Sequence, residues 1–229
     1  MSKEAHERFV KIHEHYDFFN HLFSMGFDIG WRNEAAQEAM LNKDKFKILD
    51  LGTGTGDLAI MMQKMAKKQD KNVKIVGTDF NKLMLEHARA KAKNAGYGNI
   101  SFGVGDALKT GFPASSFDVV TTAFTLRSFD NLDTFSKELY KIIKGGGKFV
   151  LLDMAKPDHN AWFMGIYLKI IPIVGGLVDK KVYAWLTSSI WKFDKHGMVK
   201  ILQRQGFKNV KIRELRTGVA YIITGWKPQ

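Results

Sequence analysis

Apolar positions along the chain change their period repeatedly, and the changes divide it into elements. Near the N-terminus, Phe9, Ile12, Tyr16, Phe19 and Phe23 recur at helical spacing, which predicts an amphipathic helix with one aromatic face. From residue 46 the period alternates. KILDL reads as a strand, and DLAIMMQKMAKK as a helix with Leu58, Met61, Met62 and Met65 on one side. VKIVGTD is the next strand, and NKLMLEHARAKAKNAG a helix that Asn81 caps and Gly96 stops. NISFGVGD and FDVVTTAFTL give two more strands, and residues 132–144 a helix with Leu132, Phe135, Leu139, Ile142 and Ile143 on its apolar face. GGKFVLLDMA is a buried strand. HGMVKILQRQGF then reads as a helix, and NVKIRELRTG and VAYIITGWK as a hairpin turning through Thr217 and Gly218.

Strands that are apolar on both faces and alternate with helices predict a parallel sheet covered on both sides. The terminal hairpin adds one antiparallel strand. The expected fold is therefore α/β: a Rossmann-like, doubly wound, mostly parallel seven-stranded sheet. A single domain spans residues 1–229, as its length suggests. Within it we expect an N-terminal helical lid at 1–45, a cofactor-binding core at 46–156, a cap insertion at 157–195 and a C-terminal helix and hairpin at 196–229. The cap holds WFMGIYLKIIPIVGGLV, strongly apolar but broken by Lys169, Pro172, Gly175 and Gly176, too interrupted to span a bilayer.

Composition narrows the setting. The absence of cysteine removes disulfides, thiolate metal sites and thiol nucleophiles, and agrees with a reducing compartment. No signal-peptide core opens the chain, so a cytoplasmic location is expected, with peripheral contact at the inner face of the membrane as a further possibility. The formal charge of +12 is dispersed, densest over residues 196–229, where 7 Lys/Arg face 1 Asp/Glu. Such a surface suits anionic lipid or nucleic acid and does not choose between them.

The chemistry concentrates at FKILDLGTGTGDLAI, residues 46–60. A strand ending at Asp50 places the following loop beyond the carboxyl end of the sheet, where ligands bind in open α/β folds. Gly52, Gly54 and Gly56 allow a tight turn and close backbone approach. The next strand ends at Asp79, 23 residues after Gly56, where a carboxylate can accept from both ribose hydroxyls. The spacing fails G-x-G-x-x-G from either Gly52 or Gly54, since positions 57 and 59 are Asp57 and Ala59. Asp57 at a helix start repels a pyrophosphate and suits a ligand bearing an ammonium group, and no G-K-[ST] follows. S-adenosylmethionine, an adenosine with a sulfonium and an amino-acid tail, matches better. Asp106, ending the third strand, is placed to accept from an adenine amino group.

With these residues in place, the chain resembles class I S-adenosylmethionine-dependent methyltransferases, and within them the ubiquinone/menaquinone biosynthesis C-methyltransferase family. YDFFNHLFSMGFDIGWR at 16–32, LDLGTGTGDLA, TDFNKLMLEHA, GDALKTGFPASSFDVVTTAFTLRS, GGGKFVLLDMAKP, YAWLTSSIWKF and LRTGVAYIITGWKP are similar to that family's blocks, in order, over nearly the whole chain. The family's Leu-Arg-Asn is here Leu126-Arg127-Ser128, and its Glu after the fifth strand is Asp153.

The resemblance implies C-methylation of a prenylated quinol ring. It implies a cofactor site of Tyr16, Asp50, Gly52, Thr53, Gly54, Gly56, Asp79, Phe80, Asp106, Ala107 and Phe124. Arg127, Tyr16 and Asp153 become the expected catalytic residues, and Asn20, Arg127, Ser128 and Tyr183 the expected substrate contacts. The chemistry asks for a donor or cation beside a ring oxyanion, and a guanidinium stays charged when partly buried. Large apolar groups between 160 and 193 are a candidate cover for a prenyl tail, or a surface for a homodimer or an anionic membrane. No metal is expected, since His13 and His15 face different sides of a helix. An RNA substrate is disfavoured: there is no cysteine, no Asn/Asp-Pro-Pro-aromatic run after the fourth strand, and no aromatic-basic extension. Another small-molecule acceptor, or cofactor binding without catalysis, stays open at this point.

Overall fold

The computed structural model describes residues 24, 26–158, 187–216 and 218–229. The aromatic helix expected at 9–23, the apolar run at 160–186, and with them Tyr16, Asn20, Tyr183 and His159, lie outside the described residues. The described part opens with a helix that periodicity does not reveal, α1 (Phe27–Ala39). Its buried face carries Asp28, Trp31, Arg32, Ala35, Ala36 and Ala39, so two charged side chains sit where an apolar stripe would be sought.

Next come β1 (Lys45–Leu51), α2 (Asp57–Lys68), β2 (Asn72–Asp79), α3 (Lys82–Asn94), β3 (Ile100–Val104) and β4 (Phe117–Ala123). A short 3₁₀ turn at Leu126–Ser128 leads to α4 (Leu132–Ile142) and β5 (Ile143–Met154). Residues 187–192 are helical. Then follow α5 (Lys195–Arg204), β6 (Lys208–Glu214) and β7 (Ala220–Trp226). Asn81 caps α3, its side chain accepting from the amides of Leu83 and Met84. FDVVTTAFTL is shorter as a strand than its apolar run: β4 stops at Ala123 because Phe124 takes a positive φ of 62°.

The seven strands form one sheet in the order β3-β2-β1-β4-β5-β7-β6. All neighbouring pairs are parallel except those of β7, which runs antiparallel to both β5 and β6. Two apolar clusters cover the sheet's faces. One joins Trp31 and Ala35 of α1 and Met62 of α2 to Ile48, Val119 and Val150. The other joins Phe135 and Leu139 of α4 and Met198 of α5 to Leu49, Phe149 and Phe207. The chain winds outward from β1 to β3, then returns to place β4 on the other side of β1. That reversal opens a crevice beyond the carboxyl ends of β1 and β4.

Candidate active site

A cleft of about 410 Å³ lies in this crevice. Its lining includes Asp50, Gly52, Thr53 and Gly54 after β1, Asp79 and Phe80 at the end of β2, Asp106 and Ala107 after β3, and Phe124 and Ser128 after β4. The sheet order sets these four groups side by side along one edge.

Hydrogen bonds that start in the sheet fix the loop after β1. The Thr53 amide donates to the Thr78 carbonyl at 3.0 Å, and the Gly54 amide to Asp79 Oδ2 at 2.9 Å. Asp79 Oδ1 accepts from the Asn81 amide at 2.9 Å. Gly52 has φ +64°, and a Cβ there would lie 2.5 Å from Thr125 Cγ2. Gly54 has φ +54°, yet a Cβ there would meet nothing within 4 Å. Gly54 thus leaves its backbone bare toward the cleft. Gly56 differs from both. It does not line the cleft; with φ +84°, a Cβ would meet Ala88 Cβ at 3.0 Å and Phe102 Cζ at 3.1 Å. Its expected place in a cofactor contact is corrected: it lets α2 pack on α3 and β3.

Two acids of the cleft, Asp50 and Asp79, are held by neutral donors. Asp50, 1% exposed, accepts from Thr53 Oγ1 at 2.6 Å and from Thr121 Oγ1 at 2.7 Å. Burial pushes its pKa up to about 6, against the pull of those two hydroxyls. Burial likewise raises Asp79, opposed by the amides of Asn81, Gly54 and Phe80. Both sites gain from a cationic ligand, which replaces lost solvation. Asp57 lines the cleft too, but its Oδ1 is ion-paired with Lys91 Nζ, which also donates to Thr55 Oγ1 at 3.2 Å. The free helix-start carboxylate expected from the sequence is therefore a compensated one.

Beyond β4 the chemistry changes. Phe124 holds an αL conformation that bulky residues avoid, at the rim of the cleft, a strain that concentrates at functional sites. Its ring lies under the Arg32 guanidinium, 4.9 Å from Cζ to centroid. Ser128 lines the cleft and donates to the Thr125 carbonyl at 2.6 Å. Arg127 is not among the lining residues. Its Nε donates to Asp153 Oδ1 at 2.6 Å and its Nη1 to Ser189 Oγ at 2.8 Å, with side-chain exposures of 5% for Arg127 and 0% for Asp153. The two expected catalytic residues thus form one buried ion pair. Tyr221, opposite Asp153 in the β5–β7 register, is buried with a hydroxyl that has no hydrogen-bond partner among the described residues. Burial, with the Asp153 charge adding to it, pushes that phenol well above its usual range.

Arg32, Thr55, Asn81 and Phe129 line the cleft without having been singled out from the sequence. For Arg32 a signal existed, a lone arginine ending the 16–32 block in an otherwise acidic N-terminal section. The site fits S-adenosylmethionine through its own features: buried acids for cationic groups, a bare glycine backbone, and a row of acceptors long enough for a nucleoside and its tail. Among the described residues no group of three or more His, Asp or Glu could hold a metal ion.

The description of the ubiE/COQ5 methyltransferase family matches residues 1–227. The demethylmenaquinone methyltransferase of Thermus thermophilus is 35% identical over 225 residues, covering 96% of this chain and 100% of that protein. The ubiquinone/menaquinone biosynthesis C-methyltransferase UbiE of Geotalea daltonii is 33% identical over 231 residues, covering 98% and 97%. Among solved structures, an S-adenosylmethionine-dependent methyltransferase assigned as such in Methanococcus maripaludis superposes with a TM-score of 0.67 at 17% identity, over 93% of this chain and 92% of that one. The phosphoethanolamine N-methyltransferase 2 of Haemonchus contortus, solved with S-adenosyl-L-methionine, gives 0.63 at 15% identity, over 86% and 52%. At these identities the structural likenesses speak for the fold.

Proposed function

We propose that this chain, which belongs to the ubiE/COQ5 methyltransferase family and is an S-adenosylmethionine-dependent methyltransferase, methylates a ring carbon of a prenylated quinol, converting demethylmenaquinol to menaquinol. The observation that carries the substrate is the end-to-end match to relatives named for that reaction. Bound in the cleft, the cofactor supplies an electrophilic methyl group on a sulfonium.

The chain's own residues do the rest. Asp106 and Ala107 hold the adenine end, Asp79 and Phe80 the ribose, and Gly52 to Gly54 with Asp50 the charged end. Phe124 and Ser128 form the wall between donor and acceptor. Much of the acceleration then comes from orientation and exclusion of water. The acceptor carbon becomes nucleophilic when a ring hydroxyl gives up its proton to water. The carbon–methyl bond forms as the sulfonium–methyl bond breaks to a neutral thioether, and the ring carbon then loses its own hydrogen to water as a proton. We assign the Arg127–Asp153 pair to the ring oxyanion: Asp153 fixes the guanidinium, and an N–H that neither Asp153 nor Ser189 takes is the donor for the oxygen. Tyr16, Asn20 and Tyr183 are proposed to close over both ligands.

A prenyl tail brings the protein to a bilayer. No helix among the described residues is long and apolar enough to cross one. Contact at the surface is supported by Lys208 and Lys211, exposed on the edge strand β6, and by Trp226, 37% exposed on β7. Quinone analysis of cells lacking the gene tests the reading. Accumulation of the demethylated quinone, reversed by the wild-type gene, is expected; an unchanged quinone profile contradicts it.

A further inference from the structure

We infer that Arg32 is the receptor for the carboxylate of the cofactor's amino-acid tail. The inference rests on S-adenosylmethionine as the cofactor and not on the identity of the methyl acceptor.

The cleft is lined by Asp50, Asp57, Asp79 and Asp106, and among the described residues Arg32 is its only basic lining residue. The ligand carries a sulfonium, an ammonium and a carboxylate. Asp50 serves the cationic groups, all four acids repel the carboxylate, and a buried carboxylate without a partner is costly. Among the described lining residues only Arg32 answers it with a positive charge.

Position agrees. The ends of β3, β2, β1 and β4 lie in that order, so the cleft runs from Asp106 at one end to Phe124 at the other. Three strand spacings of about 4.8 Å make that about 14 Å. Arg32 stacks over Phe124, at the end opposite Asp106. A nucleoside seated with its base at Asp106 and its ribose at Asp79 sends its tail toward Arg32.

The guanidinium is also prepared for a second anion. The Arg32 side chain is 9% exposed, and Nη1 is ion-paired with Asp28 Oδ2, whose other oxygen accepts from Ser24 Oγ at 2.6 Å. That pair fixes one edge. Nη2 comes no closer than 4.0 Å to Asp57 Oδ2, beyond hydrogen-bond distance, and Asp57 is itself paired with Lys91. The Nη2 side is left for a carboxylate, and the planar fork suits one.

The test is a pair of binding titrations, calorimetry with S-adenosylmethionine and with its decarboxylated analogue. The wild-type protein should prefer the intact cofactor by about tenfold to a hundredfold, the range of a charge-assisted hydrogen bond. Arg32→Ala should lose that preference while binding the decarboxylated analogue within about twofold of wild type. Because Arg32→Ala strands Asp28, the double variant Arg32→Gln/Asp28→Asn serves as a second probe with no unpaired charge, and the same loss of preference is expected. Arg32→Lys should keep part of it. Equal weakening of both ligands, or a preference intact in the double variant, overturns the assignment.

Discussion

The two sides of the switch point solve opposite electrostatic problems. On the β1–β2–β3 side, Asp50 and Asp79 are buried against hydroxyls and amides, so their charge is supported but not cancelled. On the β4–β5–β7 side, Arg127 and Asp153 cancel each other within a buried pair. The first arrangement is expensive without a cation and rewards one that arrives. The second is complete in itself and holds a charge in place. In the proposed reaction the first side binds and the second positions. A methyltransferase needs that division, since its donor is cationic and its acceptor becomes anionic.

The largest expected effect separates the two sides. Asp79→Ala removes the proposed ribose acceptor and frees the amides of Gly54 and Asn81. Cofactor affinity should fall by about a hundredfold or more, as expected for losing a charged acceptor. Arg127→Ala should change that affinity by less than about threefold. Comparable losses in both variants would erase the distinction.

Stability should show the reverse. Arg127→Ala leaves Asp153 buried and uncompensated and should cost about 3–5 kcal/mol in urea unfolding, whereas replacing both partners with apolar residues should cost less. A smaller loss in the single variant than in the double would contradict a self-contained pair.

The pH dependence follows from Asp50. Its folded pKa of about 6 lies above the ordinary 3.8. Its contribution to stability is therefore fully present below about 3.8 and lost as pH rises through about 6, about 3 kcal/mol in all. Asp50→Asn should lack that fall, and the difference between the two unfolding curves isolates it. A cationic ligand draws the pKa back down, so cofactor affinity should fall by up to about tenfold for each pH unit below 6 and level off above it. The raised Asp79 adds in the same direction.

The smallest effects divide the glycines. Gly54→Ala and Gly56→Ala each place a side chain at positive φ, costing about 1 kcal/mol. Gly56→Ala should cost more stability, through Ala88 and Phe102. Gly54→Ala should cost more cofactor affinity, through the cleft. A reversed ranking would mean that the loop's two glycines have been given each other's roles.

The binding side was the legible one. Strand period, helix caps and the chain positions of Asp50, Asp79 and Asp106 are local properties, and local properties can be read along a sequence. Gly56 was misread because its neighbours, Ala88 and Phe102, are distant in the chain. Asp57 was misread for the same reason, since Lys91 comes from another helix. The positioning side depends almost entirely on such long-range contacts. Arg127 meets Asp153 and Ser189 only once β5 lies beside β4 and the 187–192 helix is in place. Helix α1 escaped because burying Asp28 and Arg32 as a pair conceals its inner face. Family resemblance reached Arg127 where periodicity did not, but said nothing of its partners.

The account's central claim is that the bound cation's methyl group goes to a quinol carbon. Purified protein, methyl-labelled S-adenosylmethionine and reduced demethylmenaquinone in anionic vesicles test it directly, with mass and magnetic resonance analysis of the extracted lipid. Label on a ring carbon of the quinone, lost in Asp79→Ala and in Arg127→Ala, is the predicted result. Label on a ring oxygen, or none in the lipid despite tight cofactor binding, would contradict it.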